Sequence, residues 1–254
     1  MIEQLFFAIL LSLLAGLSTS IGGLLAFVFK EPGPKILSLI MGFSAGVMIF
    51  ISFTELLQEG INVFGIFIGT LFFLGGMVLM LIIDLTVSHK YHFNESLFTE
   101  DCKINERMEK TTIFVFLGIF IHNFPEGIAT VVGTLENIEI GIILAIAIAL
   151  HNIPEGIAVA VPICASGKGK KKGFFWAFLS GMSEPLGALI FGSILFPFIN
   201  EALIAALLSF VGGIMVYVSV DELLPVAHCF GNENGSIIGL VSGMFVMALS
   251  LALL

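Results

Sequence analysis

The sequence predicts an all-α protein that crosses a membrane several times, with eight transmembrane helices in a 3+2+3 inverted-repeat arrangement. The first observation is composition: the 254 residues are 58% hydrophobic and 11% charged, with a mean hydropathy of +1.11. A soluble domain carries about 25% charged residues. A larger core alone does not account for this difference, so the outer surface must also be apolar and face lipid. The other two observations are eight apolar stretches and an internal repeat.

The apolar stretches are long enough to span a bilayer, because a spanning helix needs about 20 mostly apolar residues. Eight stretches qualify: 4–29, 35–58, 64–86, 112–134, 139–163, 174–196, 202–224 and 235–254. The polar linkers at about 87–111 and 164–173 are too short to be domains, so residues 1–254 are expected to form a single transmembrane domain. The residues before the first stretch lack the positive charge of a signal peptide, which predicts a retained first helix.

The distribution of basic residues predicts the orientation in the membrane. All ten lysines and arginines fall in the first, third and fifth loops, and the second, fourth and sixth loops have none. By the positive-inside rule the odd loops, including 87–111, lie in the cytoplasm and both termini lie outside. Three cysteines, Cys102, Cys164 and Cys229, then lie on or near the cytoplasmic side, where we expect isolated thiols and no disulfide.

An internal repeat relates the first three helices to the last three. At an offset of 167 residues, seven residues of the second helix recur in the seventh, from Phe43 and Phe210 onward, and Gly76 of the third helix matches Gly243 of the eighth. At an offset of 165, Gly16 of the first helix matches Gly181 of the sixth. The predicted orientation makes the first and sixth helices run in opposite directions. Inverted repeats of this kind are typical of secondary transporters.

Two copies of one polar motif interrupt the apolar helices. The fourth helix contains HNFPEGIA at 122–129 and the fifth contains HNIPEGIA at 151–158, while the sixth contains SEPLG at 183–187. At 1.5 Å per residue, each motif begins roughly 15 to 18 Å from the start of its helix. The hydrocarbon core is about 30 Å thick, so all three motifs are expected near its middle.

The motifs place ionisable side chains where lipid makes them costly. Two histidines and three glutamates are involved, and no lysine or arginine is expected at that depth to pair with them. Protonation or a bound cation would each supply the missing positive charge. The histidines favour a metal, because proton binding alone does not call for an imidazole beside a carboxylate twice.

The spacing within each motif supports a metal site. His122 and Glu126 are four residues apart and share a helix face, and Asn123 and Glu126 lie on the adjoining strip. The fifth helix repeats both relations. Such a donor set suits Zn²⁺, Fe²⁺, Mn²⁺, Co²⁺ or Cd²⁺, and two glutamates between two helices could bridge two metals. The candidate ligands are His122, Asn123, Glu126, His151, Asn152, Glu155 and Glu184.

The HNFPEG, HNIPEG and SEPLG segments resemble the signature of the Zrt/Irt-like (ZIP) family of metal transporters, most closely its bacterial ZupT-like branch. The resemblance covers essentially the whole chain. It implies import of zinc and related divalent ions toward the cytoplasm, with an alternating-access motion of the site-bearing helices. It also implies a binuclear site, in which the first metal is held by His122, Glu126, His151 and Glu155, and the second by Asn123, Asn152 and Glu184 with Glu126 and Glu155 shared.

Several residues outside the motifs keep two interpretations. Glu55 and Glu222 occupy equivalent repeat positions near opposite membrane faces, where they either line an outer entry and an inner exit or are interfacial acids in water. His228 either catches released metal or has no such role. His89 and His92 are separated by two residues in the 87–111 loop and are more consistent with a plain solvated loop than with a metal sensor.

We therefore expect a transporter that moves divalent transition metals into the cytoplasm, in a prokaryotic plasma (inner) membrane, without a prosthetic group. Its expected partners are the metal ions and membrane lipids, and the absence of a basic stripe disfavours nucleic acid. The alternative is an intramembrane zinc-dependent hydrolase, which needs an open zinc position and a general base that the paired motifs do not provide. The preferred metal, proton coupling and the oligomeric state, a homodimer included, stay open.

Overall fold

The computed structural model describes residues 2–28, 34–88, 123–163, 169–195, 198, 200–230 and 233–253, and these are helical without a strand. The helices are α1 (Ile2–Val28), α2 (Pro34–Ile51), α3 (Leu57–Ser88), α4 (123–136), α5 (Ile138–Ile163), α6 (Lys170–Gly181), α7 (Ser183–Leu195), α8 (Glu201–Val218), α9 (Leu224–Phe230) and α10 (Glu233–Leu253).

Six helical segments within the described ranges are long and apolar enough to cross a membrane: Glu3–Leu25, Lys35–Leu85, Ile138–Ile157, Lys170–Ile194, Glu201–Asp221 and Asn234–Leu253. Large apolar side chains stay exposed along them, as expected for surfaces that face lipid. The prediction of an all-helical integral membrane protein with several crossings is confirmed for this part of the chain. Of the predicted helix at 112–134, residues 123–134 are described and belong to α4, while residues 112–122 and most of the 87–111 loop lie outside the described residues.

The 51-residue segment Lys35–Leu85 is a hairpin that turns at Gly65. Gly65 has φ 77° and ψ 164°, a backbone conformation that is essentially restricted to glycine. Phe53 and Phe73 are 20 residues apart, about 30 Å along a straight helix, yet their ring centroids are 5.3 Å apart. The rings of Phe64 and Phe72 are also in contact, at 5.1 Å. The break that the sequence predicts between residues 58 and 64 therefore lies at Gly65.

The stretch predicted at 174–196 is observed as one helical segment that could cross a membrane, Lys170–Ile194, and a one-residue turn at Met182 divides it into α6 and α7. Pro185 is the physical reason: it has no N–H to donate to the carbonyl of Gly181, so the regular ladder is interrupted. The neighbouring helical bonds are kept, since the Met182 N–H donates to the Phe178 carbonyl at 3.1 Å and the Leu186 N–H to the Met182 carbonyl at 3.4 Å. The α6 helix also begins at Lys170, so the end of the predicted 164–173 linker is helical.

Two π-helical turns stand at positions related by the 167-residue offset, at Ser52–Leu56 and Ser219–Leu223. In the first turn the Ser52 hydroxyl donates to the Met48 carbonyl at 2.7 Å, and in the second Ser219 donates to Met215 at 2.7 Å. The predicted helix at 202–224 consequently becomes α8, a π turn and α9, and it continues to Phe230.

The helices pack in two groups that meet between α2 and α5. In one group α1 packs against α5, α6 and α7, and in the other α2 packs against α10 and α3 against α8. Glycines set the closest approaches of the second group. A Cβ atom added at Gly76 would meet the Phe210 carbonyl, and one added at Gly243 would meet the Phe43 carbonyl. These two contacts are equivalent under the 167-residue offset.

We predict that Gly65→Ala lowers the free energy of unfolding by about 1–3 kcal/mol, because alanine is strained at this φ and ψ while nothing lies within 4 Å to clash with it. Gly75→Ala is the matched control on the same helix, since its Cβ would meet only the Phe210 ring at 3.6 Å. Thermal unfolding in detergent measures both variants. Equal stability of the two would refute the role of Gly65 as the turn.

Candidate metal site

A tight hairpin brings the two motif-bearing helices side by side. Asn137 separates α4 from α5, and its side-chain oxygen accepts a hydrogen bond from the Glu139 N–H at 2.9 Å. A Cβ atom added at Gly141 would lie 2.7 Å from the Cα of Thr134, so the two helices are in close contact from their first turn. This antiparallel pairing places the 123–127 and 151–156 segments next to each other.

The centre of the site is formed by Glu126, His151 and Glu155. One ligand atom from each lies within 4.8 Å of the others, and all three side chains are buried. His151 Nε2 and Glu126 Oε1 are 3.0 Å apart, a hydrogen-bonded pair between α5 and α4. Two carboxylates and an imidazole at this spacing are a donor set for a borderline divalent metal.

Asn152 and Glu184 extend the site toward α1 and α7. The Asn152 amide donates to Glu184 Oε1 and also to the Ala15 carbonyl, the latter at 3.0 Å. These two bonds use the amide nitrogen and determine where Asn152 Oδ1 points. Within the described residues no hydrogen-bond donor reaches Asn152 Oδ1, Glu126 Oε2 or Glu184 Oε2. Buried polar atoms normally have a partner, so three acceptor oxygens left in this way fit a cation as their partner.

Among the described residues the basic neighbour of the site's three glutamates is His151, and no lysine or arginine pairs with them. Glu126, Glu155 and Glu184 are all buried. The described lysines, Lys35 and Lys170–Lys172, lie in the first turns of α2 and α6, away from the motifs. Since charged groups inside a membrane are costly when isolated, this arrangement is suited to a bound cation.

Glycines after the motif glutamates set how closely the surrounding helices approach. A Cβ atom added at Gly127 would meet the Glu184 carbonyl, and one at Gly187 would meet the Phe124 carbonyl. The α4 and α7 backbones are therefore in direct contact, as is common where small residues line membrane helix interfaces. This contact is what places Glu184 beside Glu126.

The structure gathers Glu126, His151, Asn152, Glu155 and Glu184, five of the seven predicted ligands. Asn123 is also buried, one turn before Glu126 on α4. His122 lies outside the described residues, together with His89 and His92.

The remaining candidates lie elsewhere. His228 Nδ1 is 2.8 Å from the Leu224 carbonyl and its Nε2 is 3.3 Å from the Ser236 hydroxyl, so this ring joins α9 to α10. Glu55 lies half-buried in the first π turn, and Glu222 belongs to the second.

Two contributors to the site were not predicted from the sequence. The Ala15 carbonyl holds the Asn152 amide, and the Ser44 hydroxyl donates to the His151 carbonyl at 3.4 Å. A backbone carbonyl leaves no signal in the sequence. A polar serine in an apolar helix, such as Ser44, could indicate a contact with the site. Several other serines in apolar helices of this chain have the same property, so it does not single out Ser44.

Comparison with known proteins places this geometry in a family. The family model described as ZIP Zinc transporter matches residues 88–251. Proteins named "Zinc transporter ZupT" are similar over nearly the whole chain. The one from Corynebacterium aurimucosum is 46% identical with 97% of each chain covered, and the one from Streptococcus mutans is 44% identical with 100% of this chain and 99% of that protein covered.

A third relative, also named "Zinc transporter ZupT", is from Campylobacter jejuni and is 41% identical, with 99% of this chain and 98% of that protein covered. The hydrolase alternative is not supported, since these relatives are transporters and not enzymes. By the match to the family model and by these relatives, the chain belongs to the ZIP zinc transporter family.

Proposed function

We propose that the protein moves zinc and related divalent transition metals into the cytoplasm through the buried site between α4, α5 and α7. The observation that carries this proposal is the approach of ligand atoms of Glu126, His151 and Glu155 to within 4.8 Å inside apolar helices. The names of the similar proteins support zinc as the substrate. Iron, manganese, cobalt and cadmium are further substrates compatible with the donor set.

The proposed site holds two metal ions. One lies among His122, Glu126, His151 and Glu155, and the other among Asn123, Asn152 and Glu184 with both motif glutamates shared. The support comes from the carboxylate oxygens. One oxygen of Glu126 bonds to His151, and its second oxygen has no hydrogen-bond donor among the described residues. One oxygen of Glu184 also has no donor among the described residues. A bridging carboxylate directs one oxygen to each metal, and the second oxygen of Glu126 is available for the second metal.

The proposed architecture is a single domain of eight crossings over residues 1–254, with two inverted three-helix repeats around α4 and α5. The paired π turns and the equivalent contacts of Gly76 and Gly243 support it. Gly16 and Gly181, matched at the 165-residue offset, also contact each other's backbone, as residues near a two-fold axis do. The site-bearing helices would move relative to the α2, α3, α8 and α10 group.

The proposed orientation places both termini outside a prokaryotic plasma membrane and the 87–111 loop in the cytoplasm. Its support is the confinement of all basic residues to odd-numbered loops. Metal ions would then enter the protein from the side of the membrane on which the α4–α5 turn lies.

The orientation predicts that a cysteine at Asn137 is labelled from outside intact cells by a membrane-impermeant reagent, while one at Lys171 is not. Both positions are exposed. The variants are made with Cys102, Cys164 and Cys229 replaced by serine, which removes background labelling. Permeabilised cells should label both. The reverse pattern in intact cells would contradict the orientation and the direction of transport.

The donor set predicts uptake or tight binding of Zn²⁺, Cd²⁺ or Fe²⁺ and little of Mg²⁺ or Ca²⁺. Imidazole ligands suit borderline metals, whereas these hard cations prefer shells made of oxygen alone. Competition in proteoliposomes loaded with a zinc indicator measures the order of preference. If Mg²⁺ competed as well as Cd²⁺, His151 would not be a ligand.

The shared-glutamate site predicts unequal effects of ligand loss. Glu126→Ala and Glu155→Ala should each reduce zinc uptake by at least about a hundredfold, the upper end of losses seen when only an outer-shell partner is removed. Glu184→Ala and Asn123→Ala should leave residual uptake with a changed metal preference, since the histidine-bearing position survives. Uptake is normalised to the amount of membrane-inserted protein.

Glu139→Ala is the matched control for these variants, because Glu139 is an exposed glutamate in the first turn of α5. It should transport as the unmodified protein does. Full activity of Glu126→Ala would contradict the shared role. Equal and complete loss in all four ligand variants would indicate one indivisible site.

A further inference from the structure

The crossing of α1 over α5 duplicates the crossing of α7 over α4. A Cβ atom added at Gly127 would meet the Glu184 carbonyl, and one added at Gly156 would meet the Thr19 carbonyl. Each glycine directly follows the glutamate of its motif. The 165-residue offset that aligns Gly16 with Gly181 also aligns Thr19 with Glu184. Thr19 therefore occupies on α1 the position that Glu184 occupies on α7.

The Thr19 side chain is fully buried, and its hydroxyl has no hydrogen-bond partner in the described part of the chain. Buried threonines on a helix usually donate to a carbonyl one turn earlier. Thr130 and Thr134 do so, at 3.1 Å to the Glu126 carbonyl and 2.6 Å to the Thr130 carbonyl. A buried hydroxyl without a partner is unfavourable, so the Thr19 hydroxyl calls for a partner beyond the described side chains and backbone, and a bound water is one such partner.

Two contacts place this hydroxyl next to the metal site. Ala15, one turn before Thr19 on the same helix face, accepts the hydrogen bond from Asn152. A Cβ atom added at Gly181 would lie 2.9 Å from Thr19 Oγ1. Gly181 is the last residue of α6, and Glu184 follows it three residues later in the first turn of α7. A water molecule can bridge polar groups that are too far apart for a direct hydrogen bond.

We propose that Thr19 is a further residue of the transported cation's shell, and that its hydroxyl hydrogen-bonds to a water bound to the cation held by Asn152 and Glu184. This inference rests on the proposed function and adds α1 to the helices that contact the substrate. The α7 side of the site offers a carboxylate and the α1 side a neutral hydroxyl. The cation is thus held strongly on one side and weakly on the other, which suits a substrate that must bind and also leave.

Thr19→Val tests this proposal, because valine keeps the shape of threonine and removes only the hydroxyl. We expect the zinc Kd of the purified full chain in detergent, measured by calorimetry, and the KM for uptake in proteoliposomes to rise about two- to tenfold, as for the loss of one hydrogen bond. Thr19→Ser restores a hydroxyl and should return both values to near those of the unmodified protein.

Thr134→Val is the matched control, since it makes the same change at a buried hydroxyl that is bonded to its own helix. Its Kd and KM should be unchanged. If Thr19 had only a structural role, Thr19→Val would lower the thermal stability of the zinc-free protein. We expect no such loss, because the Thr19 hydroxyl makes no hydrogen bond within the described residues that valine would remove. The thermal stability of zinc-free Thr19→Val should accordingly equal or exceed that of the unmodified protein.

Unchanged Kd and KM in Thr19→Val would overturn the inference, and so would an equal rise in Thr134→Val. Failure of the proposed function is a separate result, namely no saturable zinc uptake by the unmodified protein. If uptake is absent, the zinc Kd measured by calorimetry for the unmodified protein and for Thr19→Val still tests the role of Thr19. If the unmodified protein bound no zinc at all, both proposals would be refuted.

Discussion

The structure depends on the concentration of carboxylates inside an apolar helix bundle. Glu126, Glu155 and Glu184 are buried together, and the described lysines lie at helix starts far from them. In lipid such a cluster is unfavourable until positive charge joins it. The hydrogen bonds from His151 and Asn152 to these carboxylates satisfy only part of their oxygens. The proposed affinity for a cation follows directly from where these side chains are buried.

Backbone contacts through glycine allow the cluster to form. The carboxylates come from three helices, and their side chains are short compared with the usual 8–10 Å between helix axes. At Gly127 and Gly156 there is no Cβ atom, so α7 and α1 lie directly against α4 and α5. The Pro-Glu-Gly segment therefore combines a ligand with the residue that lets a neighbouring helix approach it. After the turn at Met182, α7 begins at Ser183, and Glu184 lies in its first turn.

Much of this was predictable from the sequence, for identifiable reasons. Membrane crossing follows from composition, because lipid requires apolar residues on all sides of a helix. The clustering of the motif glutamates with His151 was predictable, because costly ionisable groups in apolar helices are expected to lie together at a site. The predictions were less accurate for the breaks in the helices, namely the turn at Met182 within the 174–196 stretch, the turn at Gly65 and the π turn after Val218.

By itself the sequence determined the class of protein, the candidate ligands and the repeat, because each depends on residue type and spacing along one chain. Only the tertiary structure decided which oxygens remain available, since that depends on partners from distant segments. The Ala15 carbonyl orients Asn152 from 137 residues away, and Ser44 reaches His151 from 107 residues away. The same holds for Thr19, whose hydroxyl has no partner among the residues that the structure describes, which is a property of the packed helices and not of its place in the sequence.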